Sequence, residues 1–116
     1  MRHKKGNRNL SKPTDQRIAL LRSLSLALIT NEKIKTTDVR AKEAQKYVER
    51  IVTLAKSGTL HSRRQALKLL PNKDAIKKVF DTFSKKYETR NGGYTRLIKV
   101  GIRKGDASPM SLLEFV

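Results

Sequence analysis

Thr89-Arg-Asn-Gly-Gly93, followed by Tyr94-Thr-Arg-Leu-Ile-Lys-Val-Gly-Ile-Arg103, is where this chain changes its period. Before Thr89, apolar residues recur at helical spacing. After Gly93 they alternate with polar ones, the period of a strand with one buried face. Tyr94, Ile98, Val100 and Ile102 make up the set expected inside, alternating with Thr95, Leu97, Lys99 and Arg103. The loop between the two regimes suits neither helix nor strand, because consecutive glycines favour turns. Lys104 to Pro109 reads as a turn, and Met110 to Val116 as a last apolar strand.

Outward from that switch toward the N-terminus the pattern is mostly helical. Ile76, Val79, Phe80, Phe83 and Tyr87 share one face of a helix that Asn72 can cap. A shorter helix runs from Leu60 through Leu67 to Leu70, with Thr59 as its cap and Pro71 as its stop. Ala41, Ala44, Val48, Ile51 and Ala55 form the stripe of another, capped by Asp38 and ended by Gly58. Lys33-Ile-Lys-Thr-Thr37 is short, β-branched and alternating, so it predicts a strand. Ile18, Leu21, Leu24, Ser25 and Leu28 mark a first helix near 14–31, started by Pro13 and Thr14. The order helix, strand, three helices, two strands implies an α+β fold in two layers, with helices packed on a small mixed sheet.

Residues 1–13 stand apart as an extended basic N-terminal arm, and residues 14–116 are expected to form a single α+β domain. The first dozen residues hold five Lys or Arg and no carboxylate. Such a stretch has too little apolar surface to order itself, yet it neutralises a polyanion well, because each cation on a phosphate releases counterions. Fully extended, it reaches roughly 40 Å. The whole chain carries a formal charge of +17 over 116 residues, from 27 Lys and Arg against 10 Asp and Glu. That excess requires an anionic partner.

Several chemistries are excluded or unsupported. With no cysteine, disulfides, thiolate nucleophiles and cysteine-held zinc are ruled out. His3 and His61 join no nucleophile or metal set, and the carboxylates are placed as caps and ion pairs. Gly92-Gly93 lacks the Lys-Ser/Thr of a phosphate-binding loop and opens no helix. The expectation is a chain that is not an enzyme and has no cofactor, metal or small-molecule substrate. The run Ile18 to Ile29 is too short to span a bilayer and Arg22 interrupts it, so no membrane partner is expected.

The cations are better organised than the carboxylates. Arg17 and Arg22 lie off the leucine stripe of the first helix; Arg8 and Lys12 precede it. Lys42, Lys46 and Arg50 line one ridge of the second long helix, and like charges at that spacing repel unless an anion offsets them. Arg63 and Arg64 sit on a helix without acids. Arg90, Arg96, Lys99 and Arg103 flank or alternate with the first of the two last strands, where a phosphate backbone fits. Only six aromatics exist, most of them on core stripes, and Tyr94 beside Gly92 and Gly93 is the one candidate for base stacking. The expected mode is phosphate and shape recognition of a structured RNA.

Met1-Arg-His-Lys-Lys, Thr36-Thr37 after Ile34-Lys35, Gly92-Gly-Tyr-Thr-Arg96, and Gly105-Asp106 with Pro109-Met110 resemble the L-seventeen family of bacterial-type large-subunit ribosomal proteins. The resemblance runs the length of the chain, with Glu114-Phe-Val116 close to the family's usual ending and Ser108 where Ala is common. It implies a structural constituent of the large ribosomal subunit, with large-subunit rRNA and neighbouring large-subunit ribosomal proteins as partners. It further implies that the arm threads into rRNA near the peptide exit tunnel. Carried over by position, it assigns RNA contact to Arg2, His3, Lys4 and Lys5, to Lys35, Thr36 and Thr37, and to the loop from Arg90 to Arg96. The implied location is the cytoplasmic ribosome or that of a plastid stroma. A nucleoid-type DNA-binding protein is the alternative, although no dimer interface or groove-entering element is evident.

Overall fold

In the computed structural model, which describes residues 12–116, the change of period at Thr89 is a change from helix to strand. Helix α1 (Thr14–Asn31) follows Pro13 and ends where Glu32 takes a left-handed φ of 66°. Strand β1 (Lys33–Thr37) leads directly into α2 (Asp38–Ser57), which Gly58 closes at φ 69°. In α3 (Leu60–Leu69), the Thr59 hydroxyl accepts the Ser62 N–H at 3.0 Å. The Asn72 side-chain oxygen, Oδ1, does the same for the Ala75 N–H at 2.9 Å, opening α4 (Lys73–Lys78). The chain stays helical beyond Lys78, through a widened π-type stretch (Val79–Phe83) and a last turn, α5 (Ser84–Lys86). These three pieces are the fourth helix that the apolar stripe predicts. Two strands follow, β2 (Thr95–Ile102) and β3 (Pro109–Phe115).

Asp38 does not cap α2. Thr37 occupies the cap position without a side-chain bond. The Asp38 carboxylate instead accepts the Ser111 hydroxyl at 2.7 Å and pairs with Lys42 at 3.1 Å, so it joins helix to sheet.

The sheet is antiparallel throughout, which corrects the expected mixed sheet. Its order is β1-β3-β2, and both ladders run antiparallel. The tight turn between β2 and β3 dictates one of these ladders. The other follows from direction: β1 and β2 run the same way, and β3, lying between them, runs opposite to both.

Helices cover one face of this sheet, and the core lies between the layers. Leu28, Ile29, Val48, Ile51, Val52, Phe83 and Leu113 are buried there. An aromatic group joins the layers: the Phe83 and Phe115 rings stack at 4.2 Å, and Tyr87 lies 5.2 Å from Tyr94. The Tyr87 hydroxyl donates to the Val116 carbonyl at 2.8 Å, and burial raises its pKa above the ordinary phenol value.

Strand β2 reverses the expected burial. Thr95 is opposite Phe115 and Leu97 opposite Leu113, so these two face the helices. Ile98 is opposite Leu112 on the outer face. Ile98, Val100 and Ile102 are 38%, 44% and 70% exposed. A bulge between Lys99 and Gly101 inserts Val100 as an extra residue. Alternation is real, but the helices cover the half that holds Thr95 and Leu97.

Candidate nucleic-acid interface

The stripe that buries α2 turns its other side outward, against the N-terminal half of α1. Arg17, Ile18 and Leu21 from α1 and Glu43, Lys46, Tyr47 and Arg50 from α2 line a cleft of about 270 Å³. The Tyr47 hydroxyl donates to the Leu69 carbonyl and ties this wall to the end of α3. On the other side of Arg50 a second cleft, about 290 Å³, is lined by Arg50, Leu54, Gln65, Lys68 and Leu69. Arg50 lines both, so the two clefts adjoin there as a trough, with cations from three helices along the pair. Glu43 is the acidic member. It is only 3% exposed and lies 3.4 Å from Lys46.

Not every expected cation faces outward for a partner. Arg22 donates from Nε to the Leu69 carbonyl at 3.1 Å and from Nη2 to the Lys68 carbonyl at 2.9 Å. These are among the last carbonyls of α3, which lack helical partners, so Arg22 acts as a tie between helices. Lys42 is paired with Asp38, Arg96 with Glu114, and Arg103 with Asp106. The hydrogen bond from Ser111 and the charge of Lys42 hold the Asp38 carboxyl below its ordinary pKa. Arg103 does the same, more strongly, for Asp106. Arg63 lies 5.2 Å from the Phe80 ring centre and lines a separate cleft with Lys73 and Lys77. Arg64 and Lys99 are exposed.

The glycine loop is held by polar bonds rather than left open. Arg90 Nε donates to the Gly93 carbonyl at 3.0 Å, and Gly93 N–H donates to Glu49 at 3.1 Å. Thr95 donates its hydroxyl to the same carboxylate at 2.8 Å. Gly92 and Gly93 take φ of 102° and 62°, conformations that side chains disfavour. Tyr94 is 3% exposed, packed on Tyr87 with Lys56 above its ring. Its expected role as a stacking platform is therefore withdrawn: no ring face is left for a base. On β1, Lys35 and Thr37 lie on the outer face and Thr36 on the inner.

Lys12 lies just before α1, while Arg2, His3, Lys4, Lys5 and Arg8 fall outside the described residues. The trough also contains Lys68, which no sequence signal marks, because it meets Arg50 only through the packing of α3 on α2. Among the described residues no group of three metal-ligating side chains converges, and no helix is long and apolar enough to cross a membrane.

Comparison with known proteins supplies an independent line. The family model described as "Ribosomal protein L17" matches residues 20–116. The chain is similar to the protein named "Large ribosomal subunit protein bL17" of Aliarcobacter butzleri, at 47% identity covering 100% of both chains. It is also 47% identical to the protein of that name from Hydrogenobaculum, covering 100% of this chain and 99% of the relative. Against the one from Allorhizobium ampelinum, identity is 46% over 100% of this chain and 82% of the relative.

Proposed function

The chain belongs to the ribosomal protein L17 family, and from that premise we propose that it is a structural constituent of the large ribosomal subunit that holds rRNA by phosphate and shape. It is a structural protein and not an enzyme. Its place is the ribosome, in a bacterium the cytoplasmic one, among rRNA and other ribosomal proteins.

The observation that carries the rRNA reading is the trough in which Arg17, Lys46, Arg50 and Lys68 gather from three helices. It borders the N-terminal half of α1, where residues 1–13 join the body. In this reading residues 14–116 are the folded body, and the arm adds its charge to the rRNA contact near the tunnel exit. Arg64 and Lys99, both exposed, add phosphate contacts around the body. Phe83, Tyr87, Tyr94 and Phe115 are buried, so none of these four rings serves as a base-stacking platform. Phosphate oxygens and the 2′-hydroxyl surface of A-form helices are what a cationic trough recognises.

The test is binding to large-subunit rRNA across a salt series. Arg50→Glu with Lys68→Glu is expected to lower affinity at least about tenfold and flatten the salt dependence by about two counterions. Deleting residues 2–12 is expected to weaken binding sharply while leaving the body folded. An unaltered affinity and slope in both variants overturns the reading.

A further inference from the structure

The outer face of the sheet, turned away from the helices, carries an uncovered aliphatic centre. Ile98 and Leu112 sit opposite one another, and Met110 follows Leu112 on the same face. Val100, the extra residue of the bulge, is 44% exposed two positions after Ile98. Lys33 and Lys35 on β1 and Arg96 on β2 occupy the same face. Its one carboxylate, Glu114, is taken by Arg96, while Lys33 and Lys35 make no ion pair among the described residues. An aliphatic patch left in water on so charged a chain marks an interaction surface.

We propose that this face docks a protein segment presenting aliphatic side chains flanked by Asp or Glu. The proposal rests on the ribosomal reading only for where that segment is sought, in the assembled large subunit. Two observations favour this occupant. Ile98, Leu112 and Met110 offer neither a ring for a base to stack on nor a donor for its edge, and phosphate gains nothing from aliphatic contact. A second copy is disfavoured by charge: antiparallel pairing of two β2 edges in the register centred on Lys99 sets Lys99 opposite its own copy. The bulge at Val100 further interrupts such a ladder. A segment with acids at its ends satisfies Lys33 and Lys35 while its centre covers Ile98 and Leu112.

The test uses the full chain. Ile98→Lys with Val100→Lys is competed against wild type for incorporation into large subunits reconstituted without this protein. The same variant is titrated against naked rRNA. A loss of about tenfold or more in competition, with naked rRNA affinity not lowered, is expected. Ile98→Thr with Val100→Thr keeps strand propensity and is expected to lose similarly, which separates docking from folding. Because the chain has no cysteine, Thr37→Cys places a unique thiol on this face for a photocrosslinker. The expected product is a peptide of another ribosomal protein with aliphatic residues beside Asp or Glu. Crosslinking to rRNA, to a second copy or to a peptide without acids overturns the proposal. So does equal competition by the variants, or a loss of naked rRNA affinity that matches the loss in competition. Failure of the wild-type chain to bind rRNA at all strikes the rRNA reading instead.

Discussion

The helical flank and the outer face of the sheet are built from the same materials, cations beside aliphatics, in opposite arrangements. On the flank, the aliphatics of α2 face the core and Lys46 and Arg50 rim a trough. On the sheet, Ile98, Leu112 and Met110 form the centre and the cations surround them. The difference comes from period. A 3.6-residue repeat lets a helix turn one continuous stripe inward and its charges outward. A two-residue repeat sends every other side chain to the far face, and with helices on one side only that face stays uncovered, whatever lies on it.

The two sides can be pulled apart experimentally, most severely at their joint. Phe83 is fully buried and stacks on Phe115, so it couples the helices to the central strand. Phe83→Ala is expected to lower unfolding free energy by about 3–5 kcal/mol in urea titration. Non-coincident loss of helical and strand signals would show that the two sides fold separately; one shared, earlier transition is the expected result.

A smaller effect sharpens the division of labour among the flank's cations. Arg22→Ala removes both donors to the end of α3 and is expected to destabilise by about 1–2 kcal/mol, with rRNA affinity of the folded chain unchanged. The opposite pattern, stability kept and affinity lost, would move Arg22 from the scaffold to the interface.

The smallest expected change is in acid. The folded-state pKa of Asp38 is depressed, first by the Ser111 hydroxyl and then by Lys42. Its contribution is therefore present above the unfolded carboxyl pKa, near 4, and is lost as pH falls through the lower folded value. Ser111→Ala raises the folded pKa toward the ordinary one. The acid-unfolding midpoint, followed by circular dichroism, is expected to move up by less than about one pH unit. A midpoint that stays or falls would mean that the Asp38–Ser111 contact does not join sheet and helix in acid.

Much of this architecture is legible from residue chemistry. Thr59 and Asn72 cap their helices because a short side-chain oxygen reaches the free N–H groups of a first turn, whatever the rest of the molecule does. Gly58 ends α2 for an equally local reason. Asp38 reads as the same kind of cap, yet its carboxylate faces Ser111, 73 positions away in the chain. Arg17, Arg22, Arg63 and Arg64 look equivalent as helix-face cations, but only packing sends Arg22 to carbonyls on α3 and Arg63 onto the Phe80 ring. Tyr94 beside two glycines suggests an exposed ring, and the aromatic joint buries it.

By itself, the sequence determined the elements, their ends and the positive charge, because propensity, capping and net charge act over a few residues or sum over all of them. The tertiary structure alone decided the strand order, the covered face of β2 and the meeting of Arg50 with Lys68. Those depend on which elements come to lie side by side, and a periodic pattern names a face without saying what will lie against it.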